Sequence, residues 1–303
     1  MDRGNSAGVL ARIAALALIP FLVSCSKLEF TRPIGHAMSN LAGSPADFSL
    51  DSWDVYVDKV TDKNTKVIIY AHGGGGLGRC DRGAIRMLKN LGFDVIYFDA
   101  FAMNRLDPRW VNLNVSDASK QDIIGNVFMG AYKYALTQSH YTKIGFYGFS
   151  QGGSVVLAFL DKIQKDSRLR LILSEAPSSH GHPFPSAVNI PVYIFHGEKD
   201  NWGGRSESDL MFFRHGSIWN DGYRSSAKLS NANWAKKLQS EGQPVTAISY
   251  ADAGHGFHCG MMHAVVRQMS FGSVTGFSGV STGALQMYEN DIKEITTRYF
   301  SSD

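Results

Sequence analysis

The sequence predicts an α/β protein with a mostly parallel central sheet and helices on both faces. Three observations lead there. Short β-rich runs alternate with amphipathic helical patterns along most of the chain. The run "KVIIYAHG" (66–73) carries a continuous apolar stretch and ends in glycine, as a strand buried on both faces should. A serine flanked by glycines, in "GFSQGG" (148–153), falls between a strand run and a helical pattern, and such a sheet gathers its chemistry at the carboxyl ends of its strands.

"WDVYVDKV" (53–60) alternates apolar and polar residues, the pattern of a half-exposed edge strand. After the strand at 66–73 come a helix over Arg82–Leu91, a strand "DVIYFDAF" (94–101) and a long helix over 117–138. In that helix Ile123, Ile124, Val127, Phe128, Ala131 and Ala135 share one face. "KIGFYG" (143–148) is the next strand, and "GSVVLAFLDKI" (153–163) continues as a helix. Further strands are expected at "LRLILSEA" (169–176), "PVYIFHG" (191–197) and "PVTAISYA" (244–251). A closing helix, "ALQMYENDIKEITTRYF" (284–300), aligns Leu285, Tyr288, Ile292, Ile295 and Tyr299. The 44% hydrophobic content over 303 residues suffices for a full core. A net charge of +3 without a Lys/Arg block argues against a nucleic-acid partner. With 31 glycines and only nine prolines, the chain favours tight turns over disorder.

The amino terminus differs from the rest. Asp2, Arg3 and Arg12 accompany the apolar run "IAALALIPFLV" (13–23), which is shorter than the roughly 20 residues a membrane-spanning helix needs. A short apolar run behind a basic start is the signal-peptide pattern. It ends in "LVSC" (22–25), which resembles the lipobox of bacterial lipoprotein precursors. That resemblance implies a signal peptide at 1–24, a lipid anchor to the membrane at Cys25, and residence in the bacterial cell envelope. Ser26, where an inner-membrane retention signal would place Asp, points to the outer membrane, facing the periplasm. An ordinary signal peptide with a chance cysteine, or a buried helix, also fits these letters. Residues 25–50 read as a tether and 51–303 as one domain.

Ser150 is the candidate nucleophile. The turn that exposes a serine between strand and helix brings the backbone close on both sides, so Gly148 and Gly152 have a steric reason to be glycine. A serine hydroxyl needs a histidine to accept its proton and an acid to orient that histidine. Asp200 follows the strand 191–197 and His255 follows the strand 244–251, in the order this fold requires. Glu198 and Asp209 are rival acids; His258 and His263 are rival histidines. The glycine run in "YAHGGGGLG" (70–78) suits an oxyanion hole, with Gly74 and the N–H of Gln151 as donors and Gly75 next in line. A phosphate loop is a poor alternative, because no Gly-Lys-Ser/Thr follows. His255, His258, Cys259 and His263 match no standard zinc spacing, so no metal is expected.

Together "HGGGG" (72–76), "GFSQGG" (148–153), "PVYIFHGEKDNW" (191–202) and "AGHGF" (253–257) resemble the α/β-hydrolase superfamily over residues 50–300, and within it the dienelactone hydrolase family. "GFSQGG" also occurs in the related carboxylesterase and acyl-thioesterase branch. The family's dienelactone hydrolases carry a cysteine nucleophile where this chain has Ser150. The resemblance therefore implies acyl transfer to water on a small-molecule ester or lactone, without a cofactor. Thioesterase or peptidase activity on the same fold, or a non-catalytic ligand-binding envelope lipoprotein, are the other readings. Trp202 and Gly75 are candidates for the substrate pocket. Segment 203–231, with Phe212, Phe213, Trp219 and Tyr223, reads either as a lid or acyl-pocket wall or as a peripheral excursion with its own aromatic cluster. In this fold the helices that follow the oxyanion and histidine loops are neighbours, which makes Cys80 and Cys259 a disulfide candidate; two separate thiols are the alternative.

Overall fold

The structure, a computed structural model, describes residues 55–178, 181–198, 200, 231–259, 263–269, 272–278 and 280–301. All of them fall in one compact unit, Asp47–Asp303. The predicted signal segment, Cys25 and the tether lie outside the described residues.

In chain order the elements are β1 (Val55–Asp58), β2 (Lys66–Ala71), α1 (Arg79–Asn90), β3 (Asp94–Phe98), α2 (Ala100–Met103), α3 (Pro108–Asn114), α4 (Asp117–Thr137), β4 (Lys143–Phe149), α5 (Gln151–Ala158), α6 (Leu160–Ile163), β5 (Leu169–Glu175) and β6 (Val192–Gly197), followed by α7 (Asn231–Ser240), β7 (Val245–Tyr250), a 3₁₀ turn (Phe257–Cys259), β8 (His263–Met269), β9 (Gly272–Ser278) and α8 (Thr282–Phe300). The main sheet runs β1-β3-β2-β4-β5-β6-β7. Only β1 is antiparallel to its neighbour, pairing Val55 with Phe98; every other pairing is parallel. Within the alternating run 53–60, Val55–Asp58 forms a partly exposed edge strand, as the pattern predicts.

The continuous apolar runs arise because helices cover both sheet faces. On one side Ile68, Tyr70, Tyr147, Leu171 and Leu173 pack under α1 and α8, through Ala84, Leu88, Tyr288 and Ile292. On the other, Phe146 meets Phe128 and Tyr132 of α4 edge to face. Burying these side chains supplies most of the favourable free energy of folding, at about 25 cal/mol per Å² of apolar surface.

Several boundaries differ from the sequence expectation, each for a local reason. The strand expected over 94–101 stops at Phe98, because the Asp99 carboxylate accepts the N–H groups of Phe101 and Ala102 and caps α2. α1 begins at Arg79, three residues early, where Asp81 accepts the Gly78 N–H at 2.7 Å. The helix expected over 153–163 is interrupted at Phe159, which separates α5 from α6. The Phe159 ring lies over Gly125, so close that a Cβ there would overlap it. α3 and the β8–β9 hairpin were not expected from the sequence.

Cys80 and Cys259 form a disulfide across 179 residues. It joins the second residue of α1 to the 3₁₀ turn, where Gly83 also packs against the His258 carbonyl. A crosslink over so long a loop restricts the unfolded chain most. Replacing both cysteines by serine is expected to lower the unfolding free energy by about 2–4 kcal/mol, read by urea denaturation.

Candidate active site

The site begins with a backbone constraint. β4 delivers the chain to Ser150, which adopts φ 53° and ψ −116° before α5 starts at Gln151. A non-glycine residue with positive φ is costly and persists only where its surroundings enforce it. A Cβ on Gly148 would overlap the Gly152 carbonyl, and one on Gly152 would overlap the carbonyl of Ala71 at the end of β2. The Ser150 N–H donates to the Glu175 carbonyl at 2.9 Å, and its own carbonyl accepts the Ser154 N–H at 3.0 Å. The hydroxyl is left at the carboxyl edge of the sheet.

β6 and β7 bring the other two residues to that edge. His255 Nε2 lies 2.9 Å from Ser150 Oγ, and Nδ1 lies 2.9 Å from Asp200 Oδ2. Asp200 is buried, while the His255 side chain keeps 18% of its surface exposed. With Nδ1–H donated to the carboxylate, Nε2 offers its lone pair to the serine proton. The rival residues are placed elsewhere. Glu198 is exposed on a turn, His258 pairs with Glu175, and His263 lies on β8. Asp209, Trp202 and all but Asn231 of segment 203–231 lie outside the described residues.

The glycine loop after β2 runs beside the serine. A Cβ on Gly73 would stand 3.2 Å from Ser150 Cβ, and one on Gly74 3.3 Å from Gln151 Cγ and 3.0 Å from Asn112 Oδ1. Gly75 meets nothing within 4 Å. His72 steadies the loop: its Nε2 accepts the Ala100 N–H at 2.9 Å, so Nδ1 carries the proton and donates to the Gly73 carbonyl at 2.7 Å. Gln151 is anchored by its amide, which donates to Asp117 at 2.9 Å. Its backbone N–H opens α5, where the helix end favours negative charge. Among the described residues no group of three or more His, Cys, Asp and Glu side chains is placed to hold a metal ion.

A second ionisable cluster, not expected from the sequence, lies beneath. Glu175, at the end of β5, is fully buried. It accepts from the Phe257 N–H, from the Tyr147 and Tyr288 hydroxyls, and from His258 Nδ1 at 2.7 Å. The only sequence signal was an acid in the otherwise apolar run "LILSEA". Burial pushes the Glu175 carboxyl up, but the His258 charge and these hydrogen bonds outweigh it and hold it below its ordinary value. Burial pushes the His258 imidazole down; Glu175 outweighs that, helped by Asp81, and raises it. The buried hydroxyls of Tyr147, Tyr288 and nearby Tyr70 are all pushed well up by desolvation and remain protonated.

The signs fix a pH window. A lowered carboxyl stabilises the fold above its unfolded value and loses that contribution as pH falls through the folded one. A raised imidazole stabilises the fold below its unfolded value and loses that contribution as pH rises through the folded one. The thermal-stability gap between the wild type and His258→Gln is therefore expected to be widest between about pH 4.3 and 6.5 and to narrow on either side.

No protein-family model and no curated protein matches the sequence. The likeness is in three dimensions. A dienelactone hydrolase from Anabaena variabilis superposes with TM-score 0.51 at 14% identity, over 83% of this chain and 94% of its own. Est1E from Butyrivibrio proteoclasticus, with ferulic acid bound, gives 0.50 at 13%, over 82% and 96%. A Xanthomonas campestris α/β serine hydrolase without lid gives 0.50 at 17%, over 82% and 90%. Sheet order, parallel pairing and these neighbours together establish that the chain has the α/β-hydrolase fold.

Proposed function

We propose that this chain is a serine hydrolase that cleaves a small carboxylic ester or lactone through an acyl-enzyme, without a cofactor. The observation that carries the reading is the continuous line from Ser150 Oγ to His255 Nε2 and from His255 Nδ1 to Asp200 Oδ2, each link 2.9 Å. The shared fold with a dienelactone hydrolase and an α/β serine hydrolase is consistent with it.

Each step has a group to perform it. Ser150 Oγ attacks the carbonyl carbon while His255 Nε2 takes its proton, and Asp200 stabilises the imidazolium. The carbonyl oxygen gains charge and is held by the N–H groups of Gln151 and Gly74. Collapse breaks the bond to the alkoxy oxygen, which receives the proton from His255. A water, deprotonated by His255, then attacks the acyl carbon, and Ser150 leaves with its proton restored. Ser150→Ala is expected to lose adduct formation with a fluorophosphonate and to lower p-nitrophenyl ester turnover by roughly 10³-fold or more, with the fold intact by circular dichroism. Unchanged turnover would refute the assignment. Rates on lactones, acyl esters, thioesters and peptides set the leaving group, which fold and triad leave open.

We further infer that the enzyme is exported and lipid-anchored at Cys25 in the outer membrane, facing the periplasm. The "LVSC" sequence supports this, as does the Cys80–Cys259 disulfide, which suits an oxidising compartment. Expressed in a bacterium with labelled palmitate, the full chain is expected to take up label, and Cys25→Ala to abolish uptake. Label retained in that variant would exclude Cys25 as the anchor.

A further inference from the structure

Glu175 is hydrogen-bonded to both the serine turn and the histidine loop. Its backbone carbonyl accepts the Ser150 N–H at 2.9 Å. Its side chain accepts the Phe257 N–H and pairs with His258, two and three residues beyond His255. From the sheet side, the Tyr147 and Tyr288 hydroxyls donate to the same carboxylate. Phe149 lies directly before Ser150 and opposite Glu175 in the β4–β5 register. Its ring packs 5.1 Å from His255 and 4.6 Å from His258.

The disulfide secures the same turn, but to α1, which does not carry the nucleophile. Glu175 is bonded to both the serine turn and the histidine loop. We propose that Glu175 is a positioning residue for acyl transfer, its carboxylate setting the register between the Ser150 turn and the His255 loop. The proposal rests on the serine-hydrolase reading above. A buried carboxylate resists displacement because sliding the loop would break two directed contacts where no water replaces them. Small misplacements of reacting groups are enough to matter, since an error of about 1 Å can cost 100-fold in rate.

The test compares the full-length wild type with Glu175→Gln, which keeps an acceptor for the Phe257 N–H, and Glu175→Met, which keeps only bulk. Fluorophosphonate titration counts competent Ser150, and p-nitrophenyl acetate turnover gives kcat and KM per competent site. We expect an unchanged titratable fraction and KM within about twofold, with kcat down about 10-fold in Glu175→Gln and about 100-fold in Glu175→Met. The pH midpoint of kcat should stay in place. Wild-type kcat per site in both variants overturns the proposal, whether or not the titratable fraction falls. A shifted midpoint with a wild-type plateau overturns it too, because it would assign the pair a purely electrostatic role. If neither variant folds, His258→Gln, which removes one loop contact, should lower kcat per site about 3- to 10-fold, and no change overturns the proposal. A wild type that forms no adduct at Ser150 overturns the serine-hydrolase reading itself, a result distinct from all of these.

Discussion

The left-handed backbone of Ser150 is the constraint on which the rest of the structure turns. At φ 53° the residue would relax if its neighbours allowed it. They do not, because the start of α5 lies so close to the ends of β4 and β2 at this corner that only glycine fits at 148 and 152. Parallel pairing across the sheet makes the approach possible, and the helices on both faces make the pairing stable. The core therefore holds the Ser150 hydroxyl in place through the close packing of this corner.

Around that corner the chain uses two kinds of support. Loops that must stay rigid are held by directed polar contacts, as His72 holds the glycine loop and Asp117 holds Gln151. The histidine loop is held by the buried His258–Glu175 hydrogen bond and a covalent bond. Such supports cost desolvation, and a wholly apolar filling could be as stable. What they add is direction, because a carboxylate or an imidazole has few geometries in which its partners are satisfied.

Much of this was legible in the sequence because the relevant signals are local or ordered. The apolar run at 66–73 announced a doubly covered strand, "LRLILSEA" (169–176) announced a strand, and the amphipathic face of 117–138 announced its helix. Ser150, Asp200 and His255 could be placed because the fold fixes the order in which strands deliver them, and the structure brings all three to one edge. Glu175 could not be placed that way. Its partners lie 28, 82, 83 and 113 residues away, and no spacing rule connects them. The end of β3 was misjudged because the strong strand formers Val95–Phe98 and Phe101 carried the reading past Asp99, whose side chain instead caps a helix. The β8–β9 hairpin was missed because a short apolar run after the histidine loop does not distinguish a paired ribbon from a connection.

The disulfide also bears on how the molecule is made. Cys259 emerges from synthesis 179 residues after Cys80, when six of the seven strands of the main sheet have already been delivered and the seventh, β7, has just been completed. The bond cannot guide the early pairing of β2, β3 and β4, which must find its register through burial alone. It can close only once α1 and the turn after His255 already lie side by side. Oxidation thus fastens α1 to the turn after His255 late in synthesis, close to where His255 meets Ser150.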